Sequence, residues 1–445
     1  VQKKSIFSVT LAMLVGVIGA VMSASAADGP VTWSVVGPES RWIDVATSQD
    51  GAIVYVASVL GLQNNRTIFK SADGGSTWAN TQAPALDWAA VDASPDGRVV
   101  TAVGKTPQIQ PASLVTPDGN NTIRSTDGGA TWSVLETVTA TITATDLETV
   151  STTITATDLV ASDDGQIIIV AYDDGSVRYS SNGGVTFSSV SINSDPGVSQ
   201  MVQLAMSATG SVVYATIQAN FVYRSLDQGA TWARIDALGT TNWEYWNSVS
   251  VSDDGQIVVV SASAFGTDPG VFKISRDFGA TWTSITTVSA TFTDGQSTYV
   301  AMSHDGRVMV AGSYDSVPQA SIDYGVTWFA YDGPDGLNNT KNQAVLSAAV
   351  SSDGTRMYLS CEFAASGDIP ILRGVVDLPV LQTPTTTTAT ASPTTLPSIV
   401  TTVKKTTKAD VLPATGDSSS QMLLLLASMF VIVGVGIRLR RTTRP

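Results

Sequence analysis

The sequence holds one cysteine and one histidine in 445 residues. A single cysteine excludes an intramolecular disulfide and any cysteine-cluster metal site, and a single histidine excludes His-paired zinc sites. Bases are also scarce: 24 Lys and Arg stand against 38 Asp and Glu, for a net charge of −14. That balance argues against a nucleic-acid partner, because phosphate binding needs a basic surface. Disorder along the whole chain is excluded by 43% hydrophobic residues, and 37 glycines point to a packed, turn-rich domain. No cofactor and no metal is expected.

Long apolar runs occur at the two ends. Lys3 and Lys4 precede an apolar stretch from Ile6 to Met22, followed by Ala24-Ser25-Ala26. This order reads as a secretory signal peptide over residues 1–27. Near the other end come Leu412-Pro413-Ala414-Thr415-Gly416, then an uncharged run over 422–437, then Arg438, Arg440, Arg441 and Arg444. Sixteen residues make a marginal span, since a bilayer core needs about 20. Transient membrane contact is expected there, with the Arg cluster held on the cytoplasmic side. Motif, apolar stretch and basic tail over 412–445 together resemble the LPxTG cell-wall sorting signal of Gram-positive surface proteins. The resemblance implies that a sortase cleaves between Thr415 and Gly416 and joins the Thr415 carboxyl to wall peptidoglycan. Residues 382–411 are rich in Thr and Pro and poor in groups to bury, so they read as a disordered, wall-spanning linker. At about 3 Å per residue such a linker reaches about 90 Å.

Between residues 28 and 381 two short units alternate. S-x-D-G occurs at Ser48–Gly51, Ser94–Gly97, Ser162–Gly165, Ser252–Gly255, Ser303–Gly306 and Ser351–Gly354, with Ser207–Gly210 as a weaker copy. S-x-D-x-G-x-T-W occurs at Ser71–Trp78, Ser125–Trp132, Ser225–Trp232, Ser275–Trp282 and Ser321–Trp328, and degenerately at Ser180–Phe187. β-Branched runs such as Ile167–Val170 and Ile257–Val260 flank the turns. Four short strands per period of about 48 residues predict a β-propeller blade. Seven turns of the first kind face six of the second. Ile371-Leu372-Arg373 lacks a following fourth strand, and Val31-Thr32-Trp33 copies the tail of the longer unit with nothing before it. The chain is therefore expected to be all-β, a seven-bladed propeller closed by the N-terminal strand.

The octapeptide resembles the Asp-box, or BNR repeat, found in sialidases, some xyloglucan-cleaving enzymes, sortilin-type receptors and photosystem assembly factors. The resemblance implies the propeller and no particular reaction. Asp73, Asp127, Asn182, Asp227, Asp277 and Asp323 are expected to be structural, since such side chains fix a turn by accepting backbone N–H bonds.

The two turn types share one end of the ring, so the longer, more variable segments gather at the other, where binding usually resides. Arg41, Trp42, Trp88, Trp243, Tyr245, Trp246 and Tyr299 lie near the starts of the innermost strands and are the ligand-binding candidates. Flat aromatic faces with polar tips suit sugar rings or peptide side chains. Packing between blades is the competing role for each. Weak catalytic candidates are Asp44, Asp92 and Glu244, because glycoside hydrolysis needs two opposed carboxylates. A sialidase is disfavoured: the early Arg-Ile-Pro motif is absent, and an acidic surface repels sialylated glycans. The sequence thus favours a wall-anchored binding or adhesion protein for glycans or surface proteins. An extracellular glycoside hydrolase and a structural or assembly role stay open.

Overall fold

The computed structural model describes residues 30–40, 42–58, 66–106, 119–139, 154–192, 202–218, 221–238, 245–263, 271–285, 298–313, 316–330, 343–363 and 369–378. The expected leader at 1–27 and linker at 382–411, with the sorting motif at 412–416 and the apolar run at 422–437, lie outside the described residues. Among those described, no helix is long and apolar enough to cross a membrane.

Seven four-stranded antiparallel sheets form the ring. Blade 1 comprises Trp42–Thr47, Val54–Ser58, Ile68–Ser71 and Ala79–Asn80. The innermost strands of blades 2 to 6 are Asp87–Ala93, Ala156–Ala161, Val202–Met206, Tyr245–Val251 and Thr298–Met302. Blade 7 takes Gln343–Val350, Arg356–Phe363 and Ile369–Val376 from the end of the domain, and its outer strand, Val31–Ser40, from the beginning. Val31 pairs with Val376 and Trp33 with Gly374. The expected closure is therefore present: Val31–Ser40 covers the edge that Ile369–Val376 would otherwise leave open and joins the two ends of the ring.

The burial pattern follows from blade packing. Second strands such as Val54–Ser58 and Val213–Ile217 are buried at every position. Each is sandwiched between two neighbouring blades, so its apolar run is continuous rather than alternating. Outer strands such as Ala79–Asn80 and Thr283–Ser284 are exposed.

The two repeat units hold each other at one end of each blade. In S-x-D-G, the Ser48 hydroxyl donates to Asp50 Oδ1 at 2.8 Å and accepts the Ile53 N–H at 3.0 Å. In the octapeptide, Asp73 Oδ1 accepts the Thr77 N–H at 2.8 Å and Asp73 Oδ2 accepts the Thr77 hydroxyl at 2.6 Å. The Trp78 indole N–H then donates to the Gly75 carbonyl at 2.9 Å. Asp127, Asp227, Asp277 and Asp323 repeat both carboxylate bonds. In the degenerate copy the second bond reverses, with Asn182 Nδ2 donating to the Thr186 hydroxyl at 2.9 Å. In blades 1, 2, 3, 5 and 6 the fourth residue of the octapeptide binds back to the short turn of its own blade, as in Gly74 N–H to Ala52 C=O at 2.8 Å. That residue has a left-handed backbone: Gly74, Gly128 and Gly183 in blades 1 to 3, but Gln228, Phe278 and Tyr324 in blades 4 to 6.

Neighbouring blades are latched by long side chains aimed at these turns. Lys70 reaches the Gly128 carbonyl, Arg124 the Gly183 carbonyl, Arg224 the Phe278 carbonyl, Arg276 the Tyr324 carbonyl and Arg373 the Gly74 carbonyl. A second ring joins the variable residues of the short turns. Their N–H groups donate to the equivalent carbonyl of the next blade, as in Asp163 to Ala208, Ala208 to Asp253 and Asp253 to His304. Pro95 has no N–H to give to blade 3, and blade 7 closes onto blade 1 through the neighbouring Asp353 N–H to the Gln49 carbonyl.

Candidate functional site

The innermost strands surround an axial channel, and every strand has its fourth residue before the short-turn serine at the same height. Those residues are Asp44, Ala90, Asp158, Gln203, Ser248, Tyr299 and Ser347. Asp92 sits two residues closer to its turn. A register shift just ahead of this level interrupts blades 1, 2, 3, 5 and 7, and such bulges re-aim side chains.

Three carboxylates therefore line one side of the channel, each bridging two blades. Asp44 accepts the Val91 N–H at 2.8 Å, Asp92 the Ala161 N–H at 2.6 Å, and Asp158 the Leu204 N–H at 2.7 Å. The other oxygen of each takes the N–H of the following residue in its own strand. Ser347 donates to Asp44 Oδ1 at 2.5 Å, so blade 7 is tied to blade 1 at the same level. Burial raises the pKa of Asp44 and Asp92 to about 6, with the hydrogen bonds pulling back. Asp158 is also pushed up, first by burial and then by the charge of Asp44. Tyr299 is raised to about 12 by burial and by Asp44 and Asp158.

The channel widens at both ends. Toward the turn end, a space of about 290 Å³ is lined by Asp44, Asp92 and Asp158 and by Asp163, Asp253 and His304. The last three bring ligand-type atoms within 4.8 Å of one another, a donor set that counting histidines alone overlooks. His304 Nδ1 is already paired with Asp253. Burial lowers the His304 pKa, but the hydrogen bond and charge of Asp253, with Asp163 and Asp305, outweigh that and raise it. The group is thus satisfied internally, and no metal role is drawn from it.

Toward the opposite, loop end, a cavity of about 610 Å³ is lined by Trp42, Ile43, Trp88, Ala156 and Leu346, with Asp44, Asp158, Gln203, Tyr299 and Ser347 below them. Lys105, Asp87 and Asn120 also border it. Arg66 neutralises Asp87 at 3.0 Å.

The expected aromatic platform is corrected here. Trp42, Trp88 and Trp246 are 0%, 2% and 3% exposed, and each fills the core between blades. Trp42 packs edge-on against Phe69 at 5.6 Å. A propeller blade presents its faces to its neighbours and only its inner edge to the channel, so a large ring on the innermost strand goes to a face. Trp42 and Trp88 therefore back the cavity wall, and their indole N–H groups have no hydrogen-bond partner. Tyr245 is half-buried at the strand start. Arg41, Trp243 and Glu244 lie outside the described residues. Asp158, Gln203 and Ser347 escaped the sequence reading. Their signal was spacing: Asp158 stands before Ser162 as Asp44 stands before Ser48.

Residues 404–441 match the LPXTG cell wall anchor motif family. This is a cell-wall-anchored surface protein. The match implies sortase processing and covalent attachment to the wall of a Gram-positive-type bacterium. No curated protein matches the sequence. Among solved structures, the chain resembles YCF48 from Cyanidioschyzon merolae at 15% identity and a TM-score of 0.50, covering 78% of this chain and 98% of that one. YCF48 bound to D1 peptide gives the same identity and TM-score and is covered to 97%. The GH74 xyloglucanase from Xanthomonas campestris is similar at 14% identity and a TM-score of 0.53; the match takes in 77% of this chain and 55% of the xyloglucanase. At these identities the likeness is one of fold.

Proposed function

We propose that the anchored propeller is a binding module and that its loop-end cavity receives the ligand, a glycan or a protein of another surface. One observation carries this reading: the chain enters and leaves the ring at the turn end. Val31 pairs with Val376, and the Asp377 N–H donates to the Pro30 carbonyl at 2.8 Å. The 610 Å³ cavity lies at the other end of the inner strands, away from Val31 and Val376. The structural turns support the same division, since their Asp oxygens are used within each turn.

A glycoside hydrolase is the second reading, favoured by two buried carboxylates of raised pKa beside a cavity. Against it, both oxygens of Asp44 and of Asp158 hold backbone N–H groups, which marks them as latches between blades. The test is a glycan and surface-protein array probed with wild type and with Gln203→Trp, which fills the cavity floor. A wild-type signal that disappears in a folded Gln203→Trp is expected. A signal untouched by the substitution places binding elsewhere, and cleavage of an arrayed glycan that Asp158→Asn abolishes establishes the hydrolase.

A further inference from the structure

Resting on the loop-end reading, we propose that the cavity selects a primary ammonium on an aliphatic stem, the side chain of a lysine presented by a partner protein. The argument is one of shape and charge. The upper wall is apolar, made by Ile43 and Leu346 with the buried rings of Trp42 and Trp88 behind it. Below it, Asp44 and Asp158 reach in from blades 1 and 3, accompanied by Tyr299 and Ser347. An apolar sleeve above an acidic floor fits a methylene stem ending in a cation, because long basic side chains bury their stems and keep their heads solvated or paired.

Charge at depth lacks a counter-ion of its own. Among the described lining residues Lys105 is the one base, and it ends a strand at the rim of blade 2. Arg66 is committed to Asp87. An added cation would therefore offset the burial that raises the pKa of Asp44 and Asp158.

The hydrogen bonds also choose between ammonium and guanidinium. Arginine prefers to fork in plane across both oxygens of one carboxylate. Here each oxygen of Asp44 and Asp158 already takes a backbone N–H, so the fork has no free edge. A compact ammonium with three rotatable donors can use the remaining lone pairs of several groups at once. A sugar ring, polar around its perimeter, matches the apolar sleeve poorly.

Calorimetric titration of the full chain with N-acetyl-lysine methylamide tests this, with N-acetyl-norleucine methylamide, N-acetyl-arginine methylamide and glucosamine as comparison probes. The lysine probe should bind about tenfold or more tighter than each of the others. Asp158→Asn should weaken it about tenfold, and Lys105→Met, which removes the competing base, should strengthen it. Because Asp158→Asn also touches a latch and can impair folding, the wild-type protein supplies a second readout. Near pH 6, binding should release protons, seen as a heat that differs between buffers of unlike ionisation enthalpy. Equal binding of the norleucine probe, preference for glucosamine or the arginine probe, or the absence of proton release overturns the lysine assignment. An array signal lost in Gln203→Trp but not displaced by the lysine probe overturns it too, while keeping the loop-end cavity as the binding face.

Discussion

Raising the pH from about 4.5 to about 7 should loosen the ring, because it forces charge onto carboxylates that the channel keeps protonated. Asp44 and Asp92 ionise near 6 in the folded protein instead of the ordinary 3.8, chiefly through burial. The folded ring thus binds more protons than the unfolded chain between those two values, and its stability declines as pH rises through them. A displacement of that size corresponds to about 3 kcal/mol per group. Water in the channel screens partly accessible carboxylates, which reduces the figure to about 2 kcal/mol each. For about 350 residues, the unfolding entropy is about 0.7 kcal/mol/K. The two groups together then lower Tm by about 6 °C, and Asp158 acts in the same direction. Below this window the sign reverses. Asp73, Asp127 and Asp277 are held at about 2 by hydrogen bonds led by those from Thr77, Thr131 and Thr281. Those three turn acids stabilise the fold above their ordinary value of 3.8 and lose that contribution as pH falls toward about 2. Tm measured by calorimetry at fixed ionic strength should therefore peak near about pH 4 to 5. A Tm that is flat or rises between about pH 4.5 and 6.5 refutes the protonated channel.

Further predictions concern single positions. The Tyr358 hydroxyl donates to the Gly51 carbonyl at 2.7 Å where blade 7 meets blade 1; Tyr358→Phe strands a buried acceptor and should cost about 1–3 kcal/mol in denaturant unfolding. Phe278 and Tyr324 hold left-handed backbones at φ 58° and 61° where blades 1 to 3 have glycine; Phe278→Gly and Tyr324→Gly should each raise stability by about 1 kcal/mol, read as a higher urea midpoint at constant slope. Thr415→Ala removes the acyl position of the sorting motif, and cell fractionation should find the variant with the membrane or medium instead of the wall.

The blade count, the closure and the shared end of the two turn types were legible because turn chemistry is local. Ser, Asp and Gly at fixed offsets determine their own hydrogen bonds, and the copies mark each blade. The channel was harder to read because it is assembled from seven distant strands. Asp158 lies in the second copy of a tandem duplication, Thr153–Leu159 after Thr141–Leu147, which disguised its equivalence to Asp44. Trp42, Trp88 and Trp246 stand at strand starts near the loop end, yet their rings turn into the apolar space between blades, where more of each indole is buried. The latches by Lys70, Arg124 and Arg224 had a visible cue, a base just before the last residue of a third strand, but its target belongs to another blade.

The closing strand also bears on how the molecule resists force. On the proposed binding reading, load enters at the loop end, while attachment to the wall pulls on the residues after Val376. That strand, Ile369–Val376, is zipped on one side to Arg356–Phe363 and on the other to Val31–Ser40. Tension must shear two ladders together before the tether can peel away, whereas an outermost strand would yield after one. Borrowing a strand from the start of the chain thus places the anchoring segment inside its sheet, a geometry suited to holding on in flow.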